Sequence, residues 1–224
     1  MIHKYHIIFF TILLLTLNSS QMLLSQTPLY TILISTSMGD MKAVLYAETP
    51  LHTENFMDLV KKGFYNGQAF HRVINNFMIQ AGDPRTKKNN EKVEQSVPDV
   101  NYTIPAEFNP VLFHKKAVIA AARMEDKVNP QRASSGSQFY IVQGRTFSDK
   151  DLDQMELKQV HIKFTEAQRK IYKSIGGTPH LDYAYTVFGE VISGIEVIDK
   201  IASVPVDKNN RPIKDISFNI RILE

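Results

Sequence analysis

The sequence predicts a mainly β fold, a closed or nearly closed antiparallel β-barrel carrying a few helices. Three observations predict it. At least eight short runs of apolar and β-branched residues recur between turn signals. Clear helix punctuation is confined to a few places. No fixed-period repeat or low-complexity linker divides the chain, and its 224 residues with 43% hydrophobic content suffice for one full-sized core.

The first element is a leader. "MIHKYH" sets Lys4 ahead of the apolar run Ile7 to Leu17, and the small and polar "NSSQMLLSQ" follows, which makes residues 1–25 a secretory signal pattern. The run is too short to cross a hydrocarbon core, although an anchor continuing through Met22 to Leu24 is a second reading. Cleavage after Ser20 or after Ser25 would each leave a glutamine first. Cysteine is absent, so the mature protein has neither disulfides nor a lipid-attachment residue and relies on core packing. A soluble exported protein, periplasmic and monomeric, is the expectation. A net charge of +3 arises from 26 basic and 23 acidic residues without an arginine-rich arm, which argues against nucleic-acid binding.

After the leader, residues 30–37 ("YTILISTS") and 41–47 ("MKAVLYA") read as a hairpin turning at Gly39-Asp40. "TPLHTENFMDLVKKG" then reads as a helix, with Thr49 as N-cap, Pro50 at the first position and Gly63 as the stop. Six further strands are predicted at "AFHRVI", "FMIQAG", "KAVIAAAR", "SQFYIVQG", "YTVFGEVI" and "ISFNIRIL". Between the fourth and fifth of these, residues 148–176 change character. Ser148 with Asp151, and Thr165 with Gln168, are two capping-box patterns, so two surface helices are inserted between strands.

The chemistry-bearing stretch is "FHRVINNFMIQAGDP", which sets Arg72 among residues that favour burial. With "AVIAAAR", "SSGSQFYI" and "HLDYAYTVFGEV", in that order, it resembles the cyclophilin family of peptidyl-prolyl cis-trans isomerases. The resemblance spans residues 29–224 apart from the inserted helices. It implies an eight-stranded antiparallel barrel capped by helices, no cofactor or metal, and proline-containing polypeptides as substrates during the folding of exported proteins. Arg72 and Gln80 are the catalytic candidates it gives. Phe77, Met78, Tyr140 and Leu181 would form the proline slot, with Ala122, Arg123 and Gln138 along the peptide groove and His180 on the rim. At Arg123 the family binds substrate largely through the backbone. Gly82-Asp83-Pro84 reads as a turn, while His71 and Phe139 point away from the groove by strand alternation.

An arginine suits this reaction. Amide resonance sets a rotational barrier of roughly 18–20 kcal/mol, and X-Pro bonds isomerise in tens to hundreds of seconds. Reaching milliseconds takes about five decades, or roughly 7 kcal/mol. A guanidinium N–H directed at the prolyl nitrogen stabilises the pyramidal nitrogen of the twisted state more than the planar ground state. Such a donor supplies about 2–4 kcal/mol in a partly dry pocket. The remainder falls to holding the proline ring while the acyl side turns.

Three positions depart from the family's usual pattern. His180 stands in place of a rim tryptophan that contacts the inhibitor cyclosporin, Tyr185 in place of a histidine, and Tyr140 in place of a phenylalanine. A non-catalytic proline-peptide-binding chaperone using the same groove is the alternative; it would be marked by loss of the arginine or of the aromatic floor, and both are present. A hydrolase or metalloenzyme lacks support, because the seven histidines show no H-E-x-x-H spacing and there is no G-x-S-x-G. Asn101-Tyr102-Thr103 matches a glycosylation sequon, a pattern short enough to recur by chance.

Overall fold

Apolar alternation along the strands produces a curled antiparallel sheet in the computed structural model, which describes residues 26–87, 100–159 and 162–223. The predicted leader, residues 1–25, lies outside the described residues. In chain order the elements are β1 (Pro28–Thr36), β2 (Gly39–Tyr46), α1 (Pro50–Lys61), β3 (Gln68–Ala69), β4 (Arg72–Ile74), β5 (Met78–Ala81), β6 (Thr103–Ile104), β7 (Val118–Ala121), β8 (Ser134–Ser135) and β9 (Phe139–Val142). They continue with α2 (Asp149–Lys158), α3 (Glu166–Ser174), β10 (Val187–Ser193), α4 (Ile195–Ala202) and β11 (Ser217–Leu223).

The main sheet has nine strands in the order β3-β11-β1-β2-β10-β7-β9-β5-β4, and β6 pairs with β8 apart from it. This corrects the expectation of a closed eight-stranded barrel: the sheet is a half-barrel left open between β3 and β4. The cause is the single predicted strand "AFHRVI", which breaks at Phe70-His71 and so supplies both edges of the sheet. Its backbone is satisfied elsewhere, the Phe70 N–H donating to the Ile216 carbonyl at 3.1 Å and the Val73 N–H to the Asn210 carbonyl at 2.8 Å. The first hairpin also turns two residues earlier than expected, at Ser37-Met38, because Gly39 already pairs with Thr36. Gly39 holds a φ of +130°, and a Cβ there would stand 2.9 Å from Val197 of α4.

Period-two alternation sends side chains to two faces. Ile79, Ile119, Phe139 and Ile141 join the large inner cluster, against which α1 lays Phe56, Leu59 and Val60, and α4 lays Val197, Ile198 and Ile201. The neighbouring positions Met78, Ala120, Tyr140 and Val142 belong to a second cluster on the outer face. At the start of α1, Thr49 occupies the N-cap position but its hydroxyl makes no capping bond. The Glu107 carboxylate accepts from Leu51 N–H at 3.1 Å and His52 N–H at 3.0 Å instead, placing negative charge at the helix N-terminus.

Both predicted capping boxes form, at Ser148/Asp151 and Thr165/Gln168. Exposed charge pairs such as Arg169–Asp153 at 2.7 Å and Lys173–Asp149 at 2.7 Å join α2 to α3 and contribute at most about 1 kcal/mol each. A small buried cluster of Phe147, Leu152, Ile162, Phe164 and Tyr172 contributes more to seating these helices, since each fully buried apolar side chain stabilises by about 1.5–3 kcal/mol.

Candidate active site

The outer face of the sheet carries one continuous cross-strand row. Arg72 on β4 pairs in register with Gln80 on β5, Gln80 with Tyr140 on β9, and Tyr140 with Ala120 on β7. Antiparallel pairing puts directly opposed residues on the same face with Cβ atoms about 5 Å apart. Arg72, 68 positions before Tyr140 in the chain, is thus brought beside it by register alone. The next row, Ile74–Met78–Val142, adds an apolar floor, and Phe77 precedes Met78 in the β4–β5 turn.

Around these rows lies a cavity of about 270 Å³ lined by Arg72, Phe77, Met78, Gln80, Ala122, Arg123, Tyr140, Leu181 and Tyr185. It lies slightly below the usual size for a whole ligand, about 300–1,000 Å³, and suits one ring of a longer chain. On its wall the guanidinium Nη1 of Arg72 donates to Gln80 Oε1 at 3.3 Å, and Gln80 Nε2 donates to Gln138 Oε1 at 3.1 Å. Gln80 therefore holds one side of the arginine fork, and among the described residues it is the arginine's only side-chain partner. The close passage of the chain here needs Gly82, whose φ is +92° and where a Cβ would lie 2.2 Å from the Ser137 carbonyl oxygen. The predicted turn beyond it becomes a 3-10 turn at Pro84–Thr86 capped by the Asp83 carboxylate.

Not every predicted residue lines this cavity. Gln138 faces a neighbouring open groove of about 820 Å³ that also runs past Gln80, Ala122 and Arg123. His180 is exposed and stacks on Phe77, with ring centroids 5.5 Å apart and planes at 25°. Arg123 reaches both spaces, yet its side chain is committed to its surroundings. Its guanidinium pairs with Asp126 at 2.6 Å, donates to the Ala184 carbonyl at 2.7 Å, and lies 4.5 Å above the Tyr185 ring. Tyr185 is the cavity residue that the sequence reading left outside its site set; its place after a five-residue stretch from the rim, where the family usually has histidine, was the available signal.

Behind the cavity floor, Tyr140 does not turn its hydroxyl into the slot. The hydroxyl meets His114 Nε2 at 3.0 Å, and His114 Nδ1 meets Asp182 Oδ1 at 2.9 Å. Asp182 Oδ1 also accepts from the His114 backbone N–H at 2.8 Å, and Oδ2 accepts from the Tyr172 hydroxyl at 2.7 Å. Burial raises the Tyr140 phenol well above its ordinary pKa, so the hydroxyl stays protonated and the slot keeps an apolar floor. A second constellation looks more like a catalytic triad: Ser134 Oγ lies 2.8 Å from His52 Nε2, and His52 Nδ1 lies 2.6 Å from Glu107. Ser134 and His52 are 1% and 2% exposed, and the adjoining void of about 10 Å³ is the size of one water. With no room for a substrate carbonyl, this arrangement is a structural clamp on α1.

Comparison with known proteins places the chain in a family. Residues 31–221 match the family model described as cyclophilin type peptidyl-prolyl cis-trans isomerase/CLD. A protein of Staphylococcus saprophyticus carrying a peptidyl-prolyl cis-trans isomerase name is 34% identical over 196 residues, covering 86% of this chain and 91% of its own. A similarly named protein of Staphylococcus haemolyticus is 33% identical over 183 residues, covering 81% of this chain and 84% of its own. A crystal structure of a Cryptosporidium parvum cyclophilin type isomerase overlays with a TM-score of 0.62 at 24% identity, covering 87% of this chain and 98% of that one. The same protein was also solved in the presence of the dipeptide Ala-Pro. A family match across nearly the whole folded chain, together with relatives above 30% identity aligned over most of their length, leads to one conclusion: this chain belongs to the cyclophilin-type peptidyl-prolyl cis-trans isomerases.

Proposed function

We propose that isomerisation takes place in the Arg72 cavity, on X-Pro bonds of polypeptides whose folding follows export. The observation that carries this reading is a guanidinium held on one side by Gln80 at the wall of an apolar slot floored by Phe77, Met78 and Tyr140. A proline ring seated on that floor has its nitrogen at the wall, where the free part of the fork donates to the pyramidal nitrogen of the twisted state. Gln80 acts by orienting the fork and, through Gln138, by tying it to the groove along which the peptide lies. The open groove past Gln80, Ala122 and Arg123 takes the peptide on one side of the proline, through backbone contacts because Arg123 is already paired. No nucleophile or redox group enters these steps, since rotation breaks no σ bond.

Export rests on the leader pattern of residues 1–25, and among the described residues no helix is long and apolar enough to cross a membrane. The alternative, a chaperone that binds proline peptides without turning them over, would use the same floor without need of Arg72. A coupled-protease assay on a short X-Pro peptide, with mature wild-type protein and Arg72→Ala, decides between them. Wild-type turnover lost in the variant supports the isomerase reading of this cavity; equal turnover in both overturns it. Fractionation of cells tests the leader: soluble extracytoplasmic protein shortened by about 20–25 residues is expected, and full-length protein retained in carbonate-washed membranes would support an anchor.

A further inference from the structure

We propose that the α2–α3 segment is a working part of the isomerase site, with Tyr172 on α3 acting as a positioning residue that sets the width of the proline slot. The inference rests on the assignment of the slot to the Arg72 cavity. One wall and the floor of that cavity are tied to one carboxylate. Asp182 follows Leu181 directly, at the end of the 3-10 turn Pro179–Leu181, and so holds the Leu181 wall through the chain. Through His114 it also holds the Tyr140 floor, since His114 Nδ1 lies 2.9 Å from Asp182 Oδ1 and Nε2 lies 3.0 Å from the Tyr140 hydroxyl.

Tyr172 completes this arrangement from outside the sheet. Its hydroxyl donates to Asp182 Oδ2 at 2.7 Å, and among the described residues no other hydrogen-bond donor reaches that oxygen. Tyr172, His114, Asp182 and Tyr140 are 0%, 0%, 2% and 4% exposed, so water does not substitute for a missing member without the chain moving apart. The ring of Tyr172 is positioned independently of its hydroxyl. It packs edge-on against Phe113, Phe147 and Phe164 at centroid distances of 5.5, 6.4 and 5.6 Å. Its oxygen is therefore delivered by the buried cluster of the inserted helices, and loss of that hydroxyl is felt at the rim and the floor together.

The purely structural reading is that the four groups only hold the fold. The two readings separate in the kinetics of the mature protein on an Ala-Pro-containing tetrapeptide, measured well below the melting temperature. Tyr172→Phe removes one hydroxyl and keeps the ring; it is expected to raise KM about three- to tenfold with kcat within about twofold of wild type, as loss of ground-state and transition-state binding alike requires. Leu152→Ala opens the same buried cluster without touching the hydrogen-bonded chain, and is expected to lower the melting temperature with KM unchanged. An unchanged KM in Tyr172→Phe, or an equal rise in Leu152→Ala, overturns the proposal. Nitrogen NMR of the His114 ring supplies a readout independent of turnover: its signals should shift in Tyr172→Phe and stay in place in Leu152→Ala, and the reverse pattern also overturns it. Arg72→Ala keeps the two hypotheses apart. If it retains full turnover, the slot assignment fails; if it is inactive while Tyr172→Phe has wild-type KM, only the role of Tyr172 fails.

Discussion

The two faces of the sheet are built from adjacent residues and are used for opposite purposes. On β5 and β9 the inner face takes Ile79, Phe139 and Ile141, all at most 1% exposed, and packs them under α1 and α4. One position along, the outer face takes Gln80 and Tyr140 and places them in register with Arg72. The inner face carries fold stability and no chemistry. The outer face spends part of its apolar area on a guanidinium and two amides, which stability alone does not require. What this teaches is that a single alternating strand can divide the two tasks residue by residue, so that substitutions one position apart should fail in different assays.

Phe139→Ala is the strongest test of that division. Phe139 contacts Phe56 edge-on at 5.2 Å and Tyr65 at 5.5 Å, and its truncation should destabilise the protein by about 3–5 kcal/mol while turnover per folded molecule is retained. A urea titration alongside the isomerase assay checks it, and loss of activity at full foldedness would blur the two faces. Arg72→Ala should do the converse, lowering turnover at least about a hundredfold with little change in melting temperature. Arg72→Lys should fail too, since a point ammonium lacks the planar fork. Melting of the Arg72→Ala protein many degrees below wild type would make this arginine a structural residue.

On the rim of the outer face, His180→Trp enlarges the apolar surface that already stacks on Phe77. Cyclosporin should bind the variant about tenfold to a hundredfold more tightly, with short-peptide turnover unchanged; identical inhibition of both proteins would detach His180 from the binding surface. The smallest effect belongs to the inner side, where His52 stacks near Phe188 with centroids 6.2 Å apart. Burial holds the His52 pKa below its ordinary value against the opposing pull of the Glu107 carboxylate. The unfolded chain therefore takes up a proton near pH 6.5 that the folded protein resists. Stability from this group is complete above about pH 6.5 and declines as the pH falls below it. Urea midpoints at pH 7.5 and 5.0 should differ in that direction, and His52→Gln should reduce the difference; midpoints independent of pH would contradict the assignment.

Much of the fold was legible because its signal is local. The eight apolar runs all carry strand, and both helix caps at Ser148 and Thr165 form as their spacing requires. The break in "AFHRVI" was hidden because Phe70 and His71 look like any apolar-polar alternation, while their departure from the sheet is decided by the distant 210–216 segment. The strands β6 and β8, two residues each, leave no period to read. At the site, family motifs named the cavity's row of residues apart from Tyr185. The His114–Asp182 pair stayed invisible because its members stand 68 residues apart. Glu107 as the cap of α1 was hidden likewise, lying 55 residues beyond the helix turn it serves.

The open seam of the half-barrel has a consequence if the substrates are extended polypeptides, as proposed. A long bare edge would offer such chains a ladder to join, and an encounter meant to be brief would become a growing sheet. Here the two edges are β3 and β4, only two and three residues long, and nearby main-chain donors at Phe70 and Val73 are already engaged by the 210–216 segment. On the proposed function, the side-chain slot on the outer face meets the polypeptide while the molecule withholds its own backbone from it.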